Sequence, residues 1–152
     1  MTVKLSTGLR NGMLGSTGFA ELFANGVIEI RSGPQPITAD AAATGTLLGL
    51  VTKDGLAWVA GSPTNGLNFN APANGAVSKN ADNWRFNGLA NGTAGWFRLK
   101  GNAADDGSVS TTLPRLDGSI GVGSGDMPMS RTDVQVGVPS TIDVFSFMLP
   151  AQ

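Results

Sequence analysis

The chain has 152 residues, ten basic and eleven acidic side chains, a net charge of −1, and no Cys, His or Tyr. Those absences exclude Ser-His, Cys-His and His-metal arrangements, thiolate metal sites, disulfides and phenolic acids. The lysines and arginines are scattered from Lys4 to Arg131, without the clustering that a phosphate-neutralising nucleic-acid surface needs.

The length fits one domain large enough to bury a core without metals or cross-links. Only 14% of the residues are charged and 22 are glycine, against a usual charged share of roughly 25%. A surface rich in Gly, Asn, Ser and Thr suits packing against other proteins, because few ions must be desolvated on contact. The N-terminus shows no charged region followed by an apolar one, and no apolar run reaches the ~18 residues of a membrane span. The expectation is synthesis and folding in the cytosol, with no membrane.

Met1–Ser16 is rich in Gly and Asn with isolated apolar residues. It is expected to form an N-terminal arm (1–16) ahead of a single β domain (17–152). Val3, Leu5, Leu9, Arg10, Met13 and Leu14 are its candidate partner-contact residues. The arm either orders on a partner or packs along its own domain. Thr17–Ala24 carries Phe19, Leu22 and Phe23 at helical spacing, and Asn25-Gly26 stops it, so one short helix is expected there.

Turn signals dominate the rest of the chain. Asn-Gly occurs at Asn11, Asn25, Asn65, Asn74, Asn87 and Asn91, and Asp-Gly at Asp54, Asp106 and Asp117. Asn and Asp tolerate positive φ and Gly has no steric cost there, so such pairs favour tight hairpins. Val27–Arg31 alternates apolar and polar side chains as a strand does. Thr46–Lys53 and Leu56–Ala60 flank Asp54-Gly55 as a predicted hairpin. Asn83–Leu89 and Gly95–Lys100 are predicted to pair across Asn91-Gly92. Ser108–Leu113, Arg115–Val122 and Thr132–Val136 are weaker strand candidates. Thr141–Leu149 is apolar on both faces, as a central or interface strand would be. The pattern predicts an all-β fold, a jelly-roll-like sandwich or barrel of short antiparallel strands with one short N-terminal helix.

The remaining chemistry is thin. Glu29, Asp82, Asp117 and Asp143 could supply a carboxylate pair for sugar hydrolysis, but nothing in the spacing pairs any two. Most aspartates sit beside Gly or Asn, where they cap turns. Asp105-Asp106-Gly107 lacks the spaced oxygen ligands of a calcium loop. Gly121–Gly125 is followed by Asp126 where a phosphate loop requires Lys, and Pro128 comes soon after. Trp58, Trp84 and Trp96 form either a sugar-stacking platform or, with arginines on the opposite strand face, parts of the core.

Several stretches resemble a group of small tailed-bacteriophage virion proteins. They are Gly8-Leu9-Arg10-Asn11 with Met13-Leu14-Gly15; Phe23–Ile30 followed by Ser32-Gly33-Pro34-Gln35-Pro36; Gly45–Gly49; and Gly95-Trp96-Phe97-Arg98. The order of elements is similar too, and the resemblance spans most of the chain through turn and packing motifs. It looks most like a capsid cement, or decoration, protein. That resemblance implies a jelly-roll-like domain in the virion, made in the host cytoplasm and docked on the capsid surface. The implied partners are the major capsid protein and further copies of the chain. It implies no catalytic, cofactor or metal residues, no cofactor, no small-molecule substrate and no direct nucleic-acid contact. A tail, neck or baseplate subunit and a carbohydrate-binding β module are the alternatives.

Overall fold

A computed structural model of the protein describes residues 3–151. The fold is all-β, in mostly antiparallel sheets, with two short helices among the described residues. The elements are β1 (Lys4–Leu5), α1 (Thr7–Leu14), α2 (Phe19–Leu22), β2 (Val27–Ser32), β3 (Leu47–Lys53), β4 (Ala76–Ser78) and β5 (Trp84–Asn87). Next come β6 (Gly92–Lys100), β7 (Arg115–Val122), β8 (Ser124–Gly125), β9 (Met127–Met129), β10 (Asp133–Val134), β11 (Pro139–Ile142) and β12 (Ser146–Met148).

The main sheet runs β1-β7-β6-β2-β3-β5-β11, with β8 and β9 on β7 and β10 on β6. The order β6-β2-β3-β5 is a Greek key: three strands run on in sequence and the fourth returns beside the first. The return is made by residues 88–91, which cross the end of β3, where the Leu89 N–H donates to the Leu48 carbonyl at 2.8 Å. Beyond the sheet's ends, β9 approaches β11 within 8 Å between Cα atoms, so the sheet curls around its core. Ile28, Ile30, Leu48, Val51, Phe86, Phe97, Leu99, Leu116, Met127 and Ile142 fill the inside. Close packing shapes two strands: a Cβ on Gly49 would lie 2.2 Å from the Phe86 ring, and one on Gly118 would lie 2.6 Å from the Phe97 ring.

The three middle strands are buried on both faces. Outside the curl, β6 presents Trp96, Arg98 and Lys100, β2 presents Glu29 and Arg31, and β7 presents Arg115 and Asp117. Segments 33–46 and 101–114 cover this layer and are stitched together by Ala43 N–H to Gly107 O and Ser110 N–H to Asp40 O. On β5 the expected alternation holds, with Trp84 and Phe86 inside and Arg85 on the other face. On β6 it does not, because Trp96 shares the outer face with Arg98, and a cover turns that polar face into a second core.

The sequence expectations need several corrections. The described residues form two helices, and the first lies within the expected arm. Leu56–Ala60 forms no strand: Asp54 and Gly55, both at positive φ, turn the chain, but β3 takes β5 as its neighbour. β5 and β6 do not pair with each other, because Asn91-Gly92 belongs to the Greek-key crossing. Ser108–Leu113 is irregular cover over the charged layer. Thr141–Leu149 breaks at Asp143–Phe145. There the chain leaves the main sheet, buries Phe145 and pairs as β12 with β4. Of the nine turn pairs, Asn11-Gly12 lies inside α1 and Asp117-Gly118 inside β7.

Residues 3–16 are continuous with the domain; Met1 and Thr2 lie outside the described residues. β1 pairs with β7, and the Ser6 side chain caps α1 by accepting from the Leu9 N–H at 3.0 Å. The same hydroxyl accepts from the Arg115 N–H and donates to the Leu113 carbonyl, both at 2.9 Å. Asp40 fixes Thr7 from the cover through its backbone N–H and hydroxyl, each at 2.7 Å.

Candidate interaction surface

A layer of charge in this protein is turned inward. Arg98 donates through Nε and Nη2 to the two carboxylate oxygens of Asp117, both at 2.8 Å, and both side chains have no exposed surface. Arg115 holds Asp105 in the same two-pronged way at 2.7 and 2.6 Å. Glu29 accepts from Lys100 and from Arg31, both at 2.7 Å. Burial pushes the Glu29 carboxyl up, but Lys100 and Arg31 outweigh it and hold it below the ordinary carboxylate range. Asp105 behaves likewise: burial raises it, and Arg115 with the Gly107 N–H brings it lower still. For Asp117 burial prevails over Arg98 and its pKa is raised.

Two of the four carboxylates singled out from sequence thus meet on one face, Glu29 and Asp117, on either side of Arg98. Each is neutralised by a cation and covered. Asp82 accepts from the Asn80 side chain and pairs with Lys53, and Asp143 is exposed at the β11–β12 corner. Asp106 caps the Ser108 N–H and hydroxyl, while Asp105 belongs to the buried layer. The glycines after β7 form a tight return in which Asp126 accepts from the Ser119 N–H and hydroxyl, both at 2.8 Å. Among the described residues no three acidic side chains gather as a metal site would require.

The tryptophans make no platform. Trp84 lies in the core against Phe69 and Phe145, and Trp96 lies under the cover with the Arg98 guanidinium 5.5 Å from its ring centre. Trp58 is half-buried and donates from Nε1 to the Asn25 carbonyl at 2.8 Å.

What reaches the surface instead is apolar. Among the described residues, eleven large hydrophobic side chains are at least half exposed, led by Ile37 at 91% and Leu14 at 86%. A groove of about 260 Å³ lies between α2 and the β4–β12 pair, lined mainly by Met13, Phe19, Pro72, Val77, Phe147 and Leu149. Phe19 and Phe147 stack at its floor, 4.6 Å between centroids and 8° from parallel. Leu14 and Met148 stand exposed on the neighbouring positions. A shallower hollow of about 460 Å³ is formed by the Pro34–Thr44 corner around Ile37.

The six residues proposed from sequence as partner contacts divide accordingly. Leu9 is fully buried, and Val3, Leu5 and Met13 pack against the core, Met13 also reaching the groove. Arg10 and Leu14 face outward, Arg10 donating to the Thr7 hydroxyl at 2.9 Å. Sequence reasoning missed Ile37, because an isoleucine between a proline and a small-residue loop carries no periodicity to place it inside or out. It also missed Phe147 and Leu149 as groove residues, since their run reads as one continuous strand. No family model, curated protein or solved structure matches this chain.

Proposed function

We propose that this protein is a structural subunit of a tailed-phage virion, a capsid decoration protein that binds the major capsid lattice and stabilises it. The observation that carries the reading is the inversion of the usual surface: ion pairs sit beneath a cover while large apolar side chains stand in solvent. Apolar groups that remain exposed on a chain this low in charge suit docking on other proteins, where they are desolvated at little electrostatic cost. Contacts of this size are individually modest, and a lattice multiplies them: each copy repeats the same weak contact and neighbouring copies add avidity. The resemblance in the Phe23–Pro36 and Gly95–Arg98 stretches supports the same reading.

The experiment is imaging and heat challenge of particles made with and without the protein. Many copies spread over the shell, and earlier genome release on heating without them, support the proposal. A few copies at one vertex would make it a neck or tail subunit. Particles equally robust without it would end the cement role.

A further inference from the structure

An Asn-Gly pair carries its own chemistry: the glycine nitrogen can attack the asparagine side-chain amide, given a free nitrogen and a free amide. Five of the six pairs lack one or the other. Asn11-Gly12 is wound into α1. At Asn25-Gly26 the Gly26 N–H donates to the Phe23 carbonyl, and the Asn25 amide oxygen accepts from Asn68. The Asn65 amide donates to the Ala57 carbonyl at 2.7 Å. The Gly88 N–H is bound to the Val138 carbonyl at 3.1 Å. The Asn91 amide oxygen accepts from the Val136 N–H at 2.9 Å.

Asn74-Gly75 is the exception. Both residues are exposed at the tip of a two-residue turn, at φ 52° and 74°, closed by reciprocal bonds between Ala73 and Ala76. Among the described residues, no hydrogen bond holds the Asn74 amide or the Gly75 N–H. Gly75 meets the fold through its carbonyl, which accepts from the Leu149 N–H at 3.0 Å. A tip of this kind opens at low free energy, which lets the backbone rotate into the geometry of attack.

We propose that Asn74 is a site of spontaneous deamidation that ages the C-terminal edge of the fold. The Gly75 nitrogen gives its proton to solvent and bonds to Asn74 Cγ. The Cγ–Nδ2 bond breaks and the amide leaves as ammonia. Water then opens the resulting succinimide at one carbonyl to aspartate or at the other to isoaspartate. The balance is one water consumed and one ammonia released, with no oxidant or reductant. Either product adds a negative charge. Isoaspartate also adds a carbon to the main chain inside the turn that closes Ala73 on Ala76 and whose Gly75 carbonyl holds the Leu149 N–H. A longer turn disturbs that closure and the Gly75–Leu149 bond, and so loosens the groove wall formed by Phe147 and Leu149.

The test incubates the folded chain in warm, mildly alkaline buffer and maps amide-to-acid conversion by peptide mass spectrometry. Trypsin leaves Asn65 and Asn74 on one peptide, residues 54–79, so fragmentation must assign the position. Asn74 is expected to convert about tenfold or more faster than Asn65, which must first break its hydrogen bond. In denatured chain the two should converge. An isoaspartate-specific methyltransferase should label the aged protein, and Asn74→Gln should remove most of that label. Conversion led by Asn25, Asn65 or Asn91, or equal rates at 65 and 74 in the folded chain, would overturn the assignment.

Discussion

Arg98 and Asp117 face each other directly across β6 and β7 and form a two-pronged ion pair from which solvent is wholly excluded. A third bond, from Arg98 Nη2 to the Ala41 carbonyl at 3.1 Å, ties the cover to the pair. The pair therefore joins β6, β7 and segment 33–46 at one point.

Removing one partner leaves a buried charge uncompensated. Arg98→Ala or Asp117→Ala is expected to destabilise by about 3–5 kcal/mol in urea titrations. The double variant Arg98→Met with Asp117→Leu should recover much of that loss, because buried ion pairs contribute little against well-packed apolar groups. A double variant as unstable as the worse single one would show that the Ala41 tether, rather than charge pairing, dominates.

The acid limb of stability arises partly in the same layer. Glu29 and Asp105 have carboxyl groups held below their ordinary range. Each contributes stability that is fully present above the unfolded-state value and is lost as pH falls through the folded one. Asp117 is raised and acts in the opposite sense, its neutral form being the better tolerated. Outside the layer Asp40 is also lowered, burial being outweighed by its Thr7 bonds, as are Asp82 through Asn80 and Asp106 through Ser108. Five lowered groups against one raised predict a net fall in stability below about pH 4. Urea midpoints measured from neutral pH downward check this, and Glu29→Gln should flatten the slope. A midpoint that rises on acidification would mean Asp117 outweighs the lowered groups.

How much of this was legible in the sequence depends on where local chemistry decides. β2, β3 and β7 lie close to where alternation and Gly boundaries place them, and the all-β class came from turn density. The pairings were not legible, because a pair such as Asn91-Gly92 has the same local chemistry whether it closes a hairpin or crosses a Greek key. Asp117-Gly118 reads as a turn, yet Gly118 is there to admit the Phe97 ring and Asp117 to meet Arg98. Both reasons are tertiary, and neither leaves a trace in neighbouring residues. The covered charged layer was hidden for the same reason: alternation gave Arg98 and Glu29 a polar face, and only the 33–46 and 101–114 segments bury it.

Packing at the inner glycines gives a sharper expectation. Gly49→Ala places a methyl against the buried Phe86 ring at a distance no real contact tolerates. The ring is fully buried and must shift, so the variant should lose about 1–3 kcal/mol. Gly33→Ala is an instructive contrast: its position is open but its φ is +75°, so its loss should be about 1 kcal/mol from backbone strain alone. Thermal melts of the two variants compare steric with conformational cost.

Fluorescence separates the tryptophans. Trp84 and Trp96 are fully buried and Trp58 is half-buried. Acrylamide should quench Trp58 and leave a shielded remainder, and Trp58→Phe should abolish the quenchable part. Because Trp58 also donates to the Asn25 carbonyl, that variant should lose about 0.5–1.5 kcal/mol. Glycans that quench the signal in wild type and not in Trp58→Phe would revive a carbohydrate-binding role.

The exposed apolar residues offer a direct test of docking, because stability and binding respond differently to them. Ile37 and Leu14 contact little of their own fold, so Ile37→Glu and Leu14→Glu should change stability by less than about 0.5 kcal/mol. On a docking face the same substitutions force a carboxylate into an apolar contact, and its desolvation should weaken binding to particles tenfold or more, about 1.4 kcal/mol. Co-sedimentation of each purified variant with particles lacking the protein reads this out. Unchanged binding by both would place the docking face elsewhere, leaving the groove around Phe147 and Leu149 for the next substitutions. Weakening by only one would identify which end of the molecule meets the lattice: Ile37 marks the Pro34–Thr44 corner, and Leu14 the end of α1 beside the groove.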